Sequence, residues 1–421
     1  MPARRFRHMV IVCNRRFIPA LEHGPYIYGV VQHVLHLADL LVRAGFRVSF
    51  VLYERDDSSV APEVRQVTVV RKYQASVLRY NTRMPHASLL EALRHAITTS
   101  SSRKLGRAGN ELPIVYLQTD VLLPFVPPEF NVLITHHAPF VDAVCNILGE
   151  SSARRAFEWD HPKMDSLREQ QRQGLLILRE RANIRCLEVS GLQEEFLRQS
   201  MVPASKVSRM PPPIGGHPPM AAPPAELASV LQSISKSSML TVMTAVSRLD
   251  FFKNIDLLVH ACVHGMRQGI VGAAIIVGGG DADAERARLR DSVPPSLRPR
   301  FTFIKRLSHA AVVGNLFPAL ARSGVFVCTS RYDLVPFTAL EASRSGLCAL
   351  IPDSRQVGAA EYIPEEYRFA PDVDGLVSLL RRASEDGELL RSFEFTATKI
   401  SSMVSDEVIL SDFSRVCASF Q

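Results

Sequence analysis

The sequence predicts an α/β protein of two doubly wound domains facing a central cleft, and three observations carry that prediction. Short apolar runs rich in β-branched residues alternate throughout with stretches of helical period, the pattern of parallel strands covered on both faces. The 421 residues exceed what one core of ordinary size organises and suit two. One stretch, Met210–Pro224, is too rich in Pro and Gly to continue either element, and the alternation restarts after it.

In the first half, strands are expected at Met9–Cys13, Arg47–Leu52, Gln66–Val70, Pro113–Leu117, Asn131–Thr135 and Arg185–Val189. In the second half they are expected at Leu240–Ala245, Ala273–Val277, Phe301–Ile304, Val325–Cys328 and Leu347–Ile351. The first helix shows one apolar stripe, Val30, Val31, Val34, Leu37, Leu40 and Leu41, closed by Gly45. His33, His36 and Asp39 are read as its solvated face. From Pro371 the chain is mostly helical, with Leu376, Leu379, Leu380, Leu389 and Leu390 at helical spacings. Thr99–Arg107, polar and basic, reads as a flexible loop. The boundaries that follow are a first domain at 1–215, a linker region at 216–235, a second domain at 236–400, and a helical tail at 401–421 placed to pack back on the first domain.

The composition excludes several classes. No apolar run approaches the roughly 18 residues that span a bilayer, and the run Met9–Cys13 is too short for the core of a secretory signal. A cytoplasmic protein is expected. The seven cysteines show no metal-ligand spacing and sit mostly in apolar runs, so buried reduced thiols are expected and no metal site. The net charge of +7 suits an anionic ligand and leaves peripheral contact with an acidic membrane face open. The basic residues are spread along the chain without a nucleic-acid motif, so no nucleic-acid partner is expected.

Two segments carry chemistry. In Ala245–Asp256 a strand ends, Arg248 and Lys253 follow five residues apart, and an apolar helix begins. Ligands of open α/β sheets bind at the carboxyl ends of strands, where a planar guanidinium and a mobile ammonium can clamp a diphosphate. In Ser330–Ala342, Asp333 and Glu341 lie eight residues apart across a loop that enters a helix near Pro336, whose free N–H groups favour an anion. Taken singly, the cations read equally as surface residues, and the two carboxylates as a helix cap and an exposed helix position.

Taken together and in order, these segments resemble the donor site of the retaining GT-B glycosyltransferases of family 4. The family pattern runs G-R-L-x-x-x-K-G, then a strand ending V-G-x-G, then E-G-F-P/G-L-x-x-x-E-A. Here it reads Ser247-Arg248-Leu249 to Lys253-Asn254, Val277 to Gly280, and Asp333-Leu334-Val335-Pro336-Phe337 to Glu341-Ala342. More weakly, Tyr28-Gly29 to His33-Val34 is similar to the family's G-G-x-x-R-H-V turn, and Thr135-His136-His137 to its T-x-H. Val189-Ser190-Gly191, followed by the helix Leu192–Ser200, also matches the family layout before its linker. The likeness covers most of the chain and is strongest from about 240 to 365.

The resemblance implies two Rossmann-like domains and a nucleotide-diphosphate sugar as donor, a UDP-sugar or a GDP-sugar. It implies no cofactor and no required metal. Arg248 and Lys253 would stabilise the departing diphosphate, helped by backbone amides around Phe337 and Thr338. Glu341 would hold the ribose, Asp333 the sugar hydroxyls, and the Leu307 backbone the base. Gly29 would let the backbone approach the β-phosphate, and His137 would stand near the sugar. The acceptor is an unidentified hydroxyl of a saccharide, natural product or lipid, read by the first domain. Gly149–Lys163, with Arg154, Arg155, Trp159 and His161, is a candidate lining for its cleft and equally a surface loop. A monomer or homodimer is expected.

The family's first glutamate is Asp333 here, its Gly-Phe is Leu334-Val335, its first Gly is Tyr28, and its linker Asn-Gly is Pro212-Pro213. These departures touch the sugar pocket, the phosphate approach and the hinge. An epimerase of the same fold and a non-catalytic nucleotide-sugar binder stay open as alternatives. A dinucleotide oxidoreductase lacks its G-x-G-x-x-G, and Gly278–Asp283 is neither a phosphate loop by pattern nor the metal site that its D-x-D evokes.

Overall fold

The computed structural model describes residues 8–14, 29–56, 64–67, 74–81, 113–117, 123, 126, 128–134, 145, 149–151, 161–215, 223, 225–235, 239–246, 248–278, 282–305, 307–385 and 387–420. The chain forms two compact units. The first comprises Met1–Gly24, Leu37–Pro211 and Asp406–Gln421, and the second Pro25–His36 and Pro212–Ser405.

The first unit is built on an eight-stranded sheet of order β3-β4-β2-β1-β5-β6-β7-β8. Its strands are β1(His8–Asn14), β2(Arg47–Asp56), β3(Val64–Val67), β4(Gln74–Asn81), β5(Ile114–Leu117), β6(Asn131–Ile134), β7(Ile184–Glu188) and β8(Val207–Arg209). All neighbours pair in parallel except β3 with β4, which makes one edge antiparallel. Met9–Val12 and Ile114–Leu117 are buried throughout, as central strands with unbroken apolar runs must be. Val132, Ile134, Ile184 and Cys186 pack with Leu178 and Leu197 of the helices α2(His161–Glu180) and α3(Gly191–Gln199). The last helix of the chain, α12(Asp406–Ala418), belongs to this unit. The Phe413 ring meets Phe46 edge-on at 6.0 Å, Arg43 pairs with Asp406 at 2.9 Å, and Arg185 donates to the Ser419 carbonyl at 2.8 Å.

The helix α1(Gly29–Arg43) follows its apolar stripe, with Val34, Leu37, Leu40 and Leu41 buried, and it ends in Gly45 at φ 85. His33 departs from the expectation of a solvated face, being 1% exposed. It stands three residues after Val30 and four before Leu37, so the 3.6-residue period puts it on the apolar face itself. Its ring meets Phe337 edge-on, centroids 5.2 Å apart, within the second unit. His36 and Asp39 are half-buried.

The second unit carries a six-stranded sheet of order β11-β10-β9-β12-β13-β14, all parallel. The strands are β9(Leu240–Val246), β10(Val271–Gly278), β11(Phe301–Ile304), β12(Gly324–Val327), β13(Cys348–Pro352) and β14(Arg368–Phe369). In chain order this is 3-2-1-4-5-6, the doubly wound sequence, and the strands β4-β2-β1-β5-β6-β7 of the first unit repeat it, with β8 added in parallel at the edge. The covering helices are α4(Ala225–Ser235), α5(Ile255–Arg267), α6(Asp283–Asp291), α7(His309–Ala311), α8(Phe317–Leu320), α9(Phe337–Arg344), α10(Val373–Glu385) and α11(Gly387–Met403). Thus residues 225–235 of the Pro-rich stretch's far side are helical.

Three strands were not expected. β4 reads Gln-Ala-Ser-Val-Leu-Arg-Tyr-Asn, without an unbroken apolar run, while β8 and β14 are three and two residues long. Of the cysteines, 186, 262, 328, 348 and 417 are buried thiols, and Cys145 is a half-buried one. Burial pushes the Cys417 thiol up to about 12. Among the described residues no helix is long and apolar enough to cross a membrane. Thr99–Arg107 and residues 152–160 lie outside the described residues.

Candidate active site

Strand order fixes where a ligand sits. From β9 the chain turns one way to β10 and β11, and from β12 it turns the other way to β13 and β14, so the sheet's switch point lies between β9 and β12. The segments leaving their carboxyl ends are Arg248–Asn254 and Cys328–Pro336, the two that carry the sequence-predicted charges.

The two loops are stitched together. The Arg331 N–H donates to the Phe252 carbonyl at 2.8 Å, and the Thr329 hydroxyl donates to the Lys253 carbonyl at 2.8 Å. The Arg331 guanidinium donates to Asn254 Oδ1 at 2.9 Å and lies 4.3 Å from the centre of the half-exposed Phe251 ring. Asn254 itself is left-handed, φ 49 and ψ 44. The family pattern has glycine there, and asparagine is among the few side chains that adopt this region readily. On the other side, the Asp333 N–H donates to the Gln356 carbonyl at 3.0 Å, and the Asp333 carbonyl accepts from Gly358 at 2.9 Å.

This frame brings Lys253 and Asp333 together. Nζ stands 2.6 Å from Oδ2, with the side chains 19% and 15% exposed, and Ser330 Oγ is 3.3 Å from the same oxygen. Burial works against the charge on Lys253, but the Asp333 carboxylate outweighs it and leaves the ammonium's pKa raised. Arg248 is more exposed and turns its Nε to Asp250 Oδ2 at 3.0 Å. Asp250 also caps the turn, accepting from the Lys253 N–H at Oδ1, 3.1 Å away. Asp333 is therefore no helix cap: α9 begins four residues later, after Pro336.

Glu341 lies on α9, 8% exposed, rather than on its solvated side. Its Oε1 is 2.7 Å from His309 Nε2. Burial lowers the His309 pKa and the Glu341 carboxylate raises it, with a net rise. His309 was not picked out by the sequence, because its partner is 32 residues away and only the return of the chain from β11 to β12 joins them. The available signal was Ser308, a helix-capping residue just past β11, whose hydroxyl accepts from the Ala311 N–H at 3.1 Å and so starts a helix with His309 at its first position. Leu307, two residues before, is buried.

At the start of α9 the Phe337 N–H donates to the Val335 carbonyl at 2.9 Å. Of the two amides expected to face a phosphate, Phe337's is thus already engaged. Val335 is buried and Leu334 half-buried, in place of the family's Gly-Phe. Gly278 is held at φ 121, and a Cβ there would lie 1.7 Å from the Val246 carbonyl oxygen, so only glycine ends β10 this close to β9. Asp283 is paired with Lys305 at 2.9 Å and with Arg286. Gly29 opens α1. His137 lies outside the described residues, as does Tyr28.

The profile of the family described as Glycosyl transferases group 1 matches residues 241–386, from β9 through α10. No curated protein sequence matches the chain. Among solved structures, a sucrose-phosphate synthase from Thermosynechococcus elongatus is similar at 20% identity, with 98% of each chain covered and a TM-score of 0.67. The Anabaena protein HepE in complex with UDP and glucose is similar at 12% identity, covering 98% of this chain and 99% of its own, with a TM-score of 0.64. An α,α-trehalose-phosphate synthase (UDP-forming) from Burkholderia xenovorans gives 14% identity, 98% and 100% coverage, and a TM-score of 0.61. The two doubly wound sheets are those of the GT-B fold that these structures share, and the unit whose switch point carries the expected charged loops holds a domain, residues 241–386, that matches Glycosyl transferases group 1.

Proposed function

We propose that the protein is a retaining glycosyltransferase that moves a sugar from a nucleotide-diphosphate sugar to an acceptor hydroxyl. The observation that carries this reading is the convergence of Arg248, Lys253 and Asp333 on the switch point of the second sheet. The difficulty in such a transfer is departure of a nucleoside diphosphate, with charge growing on the β-phosphate while the anomeric carbon becomes cationic. Fixed positive groups aimed at the leaving oxygen lower that barrier. Arg248 supplies a planar fork and Lys253 a half-buried point charge, joined by the Thr338 amide at the start of α9.

Lys253 meets Asp333 before any donor arrives, so the donor's diphosphate shares or displaces that carboxylate as it binds. Glu341 takes the ribose hydroxyls and the Leu307 backbone the base. With attack on the face of departure, the leaving phosphate oxygen accepts the acceptor's proton and no side-chain base is needed. The metal is dispensable in this scheme because cations of the chain neutralise the diphosphate. The roles of His137 toward the sugar and Gly29 toward the β-phosphate carry over from the resemblance alone, and reading of the acceptor is assigned to the first half. UDP is the nucleotide of first choice, given the UDP-bound HepE and the UDP-forming trehalose-phosphate synthase among the similar structures.

The test is direct. Lys253→Ala and Arg248→Ala should each lower transfer tenfold or more, about the effect of removing one electrostatic donor, while the circular dichroism stays native. Undiminished turnover in both variants contradicts the clamp. Isomerisation of the donor sugar without acceptor would assign the chain to an epimerase instead.

A further inference from the structure

His309 has no part in the reading above, yet it holds one of that reading's principal residues. Its Nε2 is 2.7 Å from Glu341 Oε1, and both side chains are about nine-tenths buried, 11% and 10% exposed. A buried ionic pair is a poor way to gain stability, because the desolvation of both groups cancels most of their attraction and an apolar pair of the same volume serves as well. Its position is more informative. His309 follows Leu307 by two residues at the carboxyl-end side of β11, and Glu341 sits one turn into α9, the helix that begins at the phosphate end of the site.

The local backbone is arranged to aim this residue. Ser308 caps the turn His309–Ala311, and a π turn, Val312–Leu316, follows at once before α8 resumes the ordinary helix. Such a turn takes up one extra residue, so the first turn is oriented independently of the helix behind it. π turns are frequent at functional sites. His309 engages Oε1, and a carboxylate accepts at two oxygens, so one remains for a hydroxyl of the ligand.

We propose that His309 is a positioning residue for the nucleoside end of the donor, holding Glu341 in the orientation that accepts from the ribose hydroxyls. The inference rests on the donor-site reading of Glu341. It adds a recognition element from the β11–β12 connection, Leu307 to His309, which then contributes both the backbone contact to the base and the side chain that sets the ribose contact.

The experiment is calorimetric titration of the full chain with UDP and with 2′-deoxy-UDP, using GDP and ADP and their 2′-deoxy forms where UDP gives no heat. His309→Ala should weaken the ribonucleotide fivefold or more and the deoxynucleotide less than twofold. Glu341→Ala should erase the same discrimination, and the double variant should lose nothing further. His309→Gln, whose amide nitrogen reaches nearly as far as Nε2, should retain most of it. Should His309→Ala not fold, His309→Asn, too short to reach Glu341, takes its place with the same expectation. An equal loss for ribo- and deoxynucleotide, or no loss, overturns the proposal while leaving the donor site standing. Failure of the wild type to bind any of the three nucleotides overturns the donor reading and the proposal with it.

Discussion

At the scale of single residues, the consequential contact is Lys253 with Asp333, 2.6 Å apart and largely out of water. The sequence showed that both residues belong to the same end of one sheet, and it could not show that they meet. Spacing along the chain says nothing about residues 80 apart, and the resemblance assigned them different parts of the donor. Their pairing has a measurable consequence. Asp333→Ala leaves a half-buried ammonium without its counter-charge, a change that costs less than the roughly 3–5 kcal/mol of removing one partner from a fully buried pair. A bound diphosphate restores the missing negative charge. The nucleoside diphosphate that stabilises the wild type should therefore raise the melting temperature of Asp333→Ala by more than it raises that of the wild type, measured by differential scanning fluorimetry. An equal or smaller rise would place the carboxylate's influence elsewhere.

Among elements, the strands that carry the sites were readable because β-branched apolar runs survive burial on both faces, as in Leu240–Val246 and Val325–Val327. β4 was not, since its polar residues break the run, and β8 and β14 are too short to show a period. His33 shows the opposite failure: a polar residue on an apolar face, read by its chemistry when its spacing placed it inside. β7 ends in another such residue. Glu188 is fully buried, and its carboxyl oxygens have no N–H or O–H partner among the described residues. Burial drives its carboxyl pKa well up, and Glu194 adds to the rise while Arg209 opposes it.

The folded state therefore keeps a proton that the unfolded chain releases. The stability this confers is complete below the ordinary carboxylate range and is lost as pH rises from there to the raised value. Glu188→Gln, neutral at every pH, should gain on the wild type between pH 5 and pH 8, by up to roughly 1.4 kcal/mol per pH unit in that window. The check is the difference in melting temperature at the two pH values, and a constant difference would contradict it.

For the whole molecule, the same winding occurs twice, 3-2-1-4-5-6 in each sheet, and it puts a switch point in each unit. The fold was readable in the sequence to that extent because alternation and chain length determine it. Two charged loops and a helix start were readable, and Arg248, Lys253, Asp333 and Glu341 lie on them in the second unit. What joins those residues was not readable: the Arg331 stitch between the loops, the engaged Phe337 amide, and His309 behind Glu341. Each depends on hydrogen bonds between segments that have no sequence relation.

The most direct test of the central claim is a thermal-shift titration of the wild type and Lys253→Ala with UDP-, GDP-, ADP- and dTDP-sugars. One nucleotide class should stabilise the wild type, by about 2.7 kcal/mol at a hundredfold excess over Kd, and Lys253→Ala should lose most of that gain. No stabilisation by any of the four, or a shift untouched by Lys253→Ala, would contradict it.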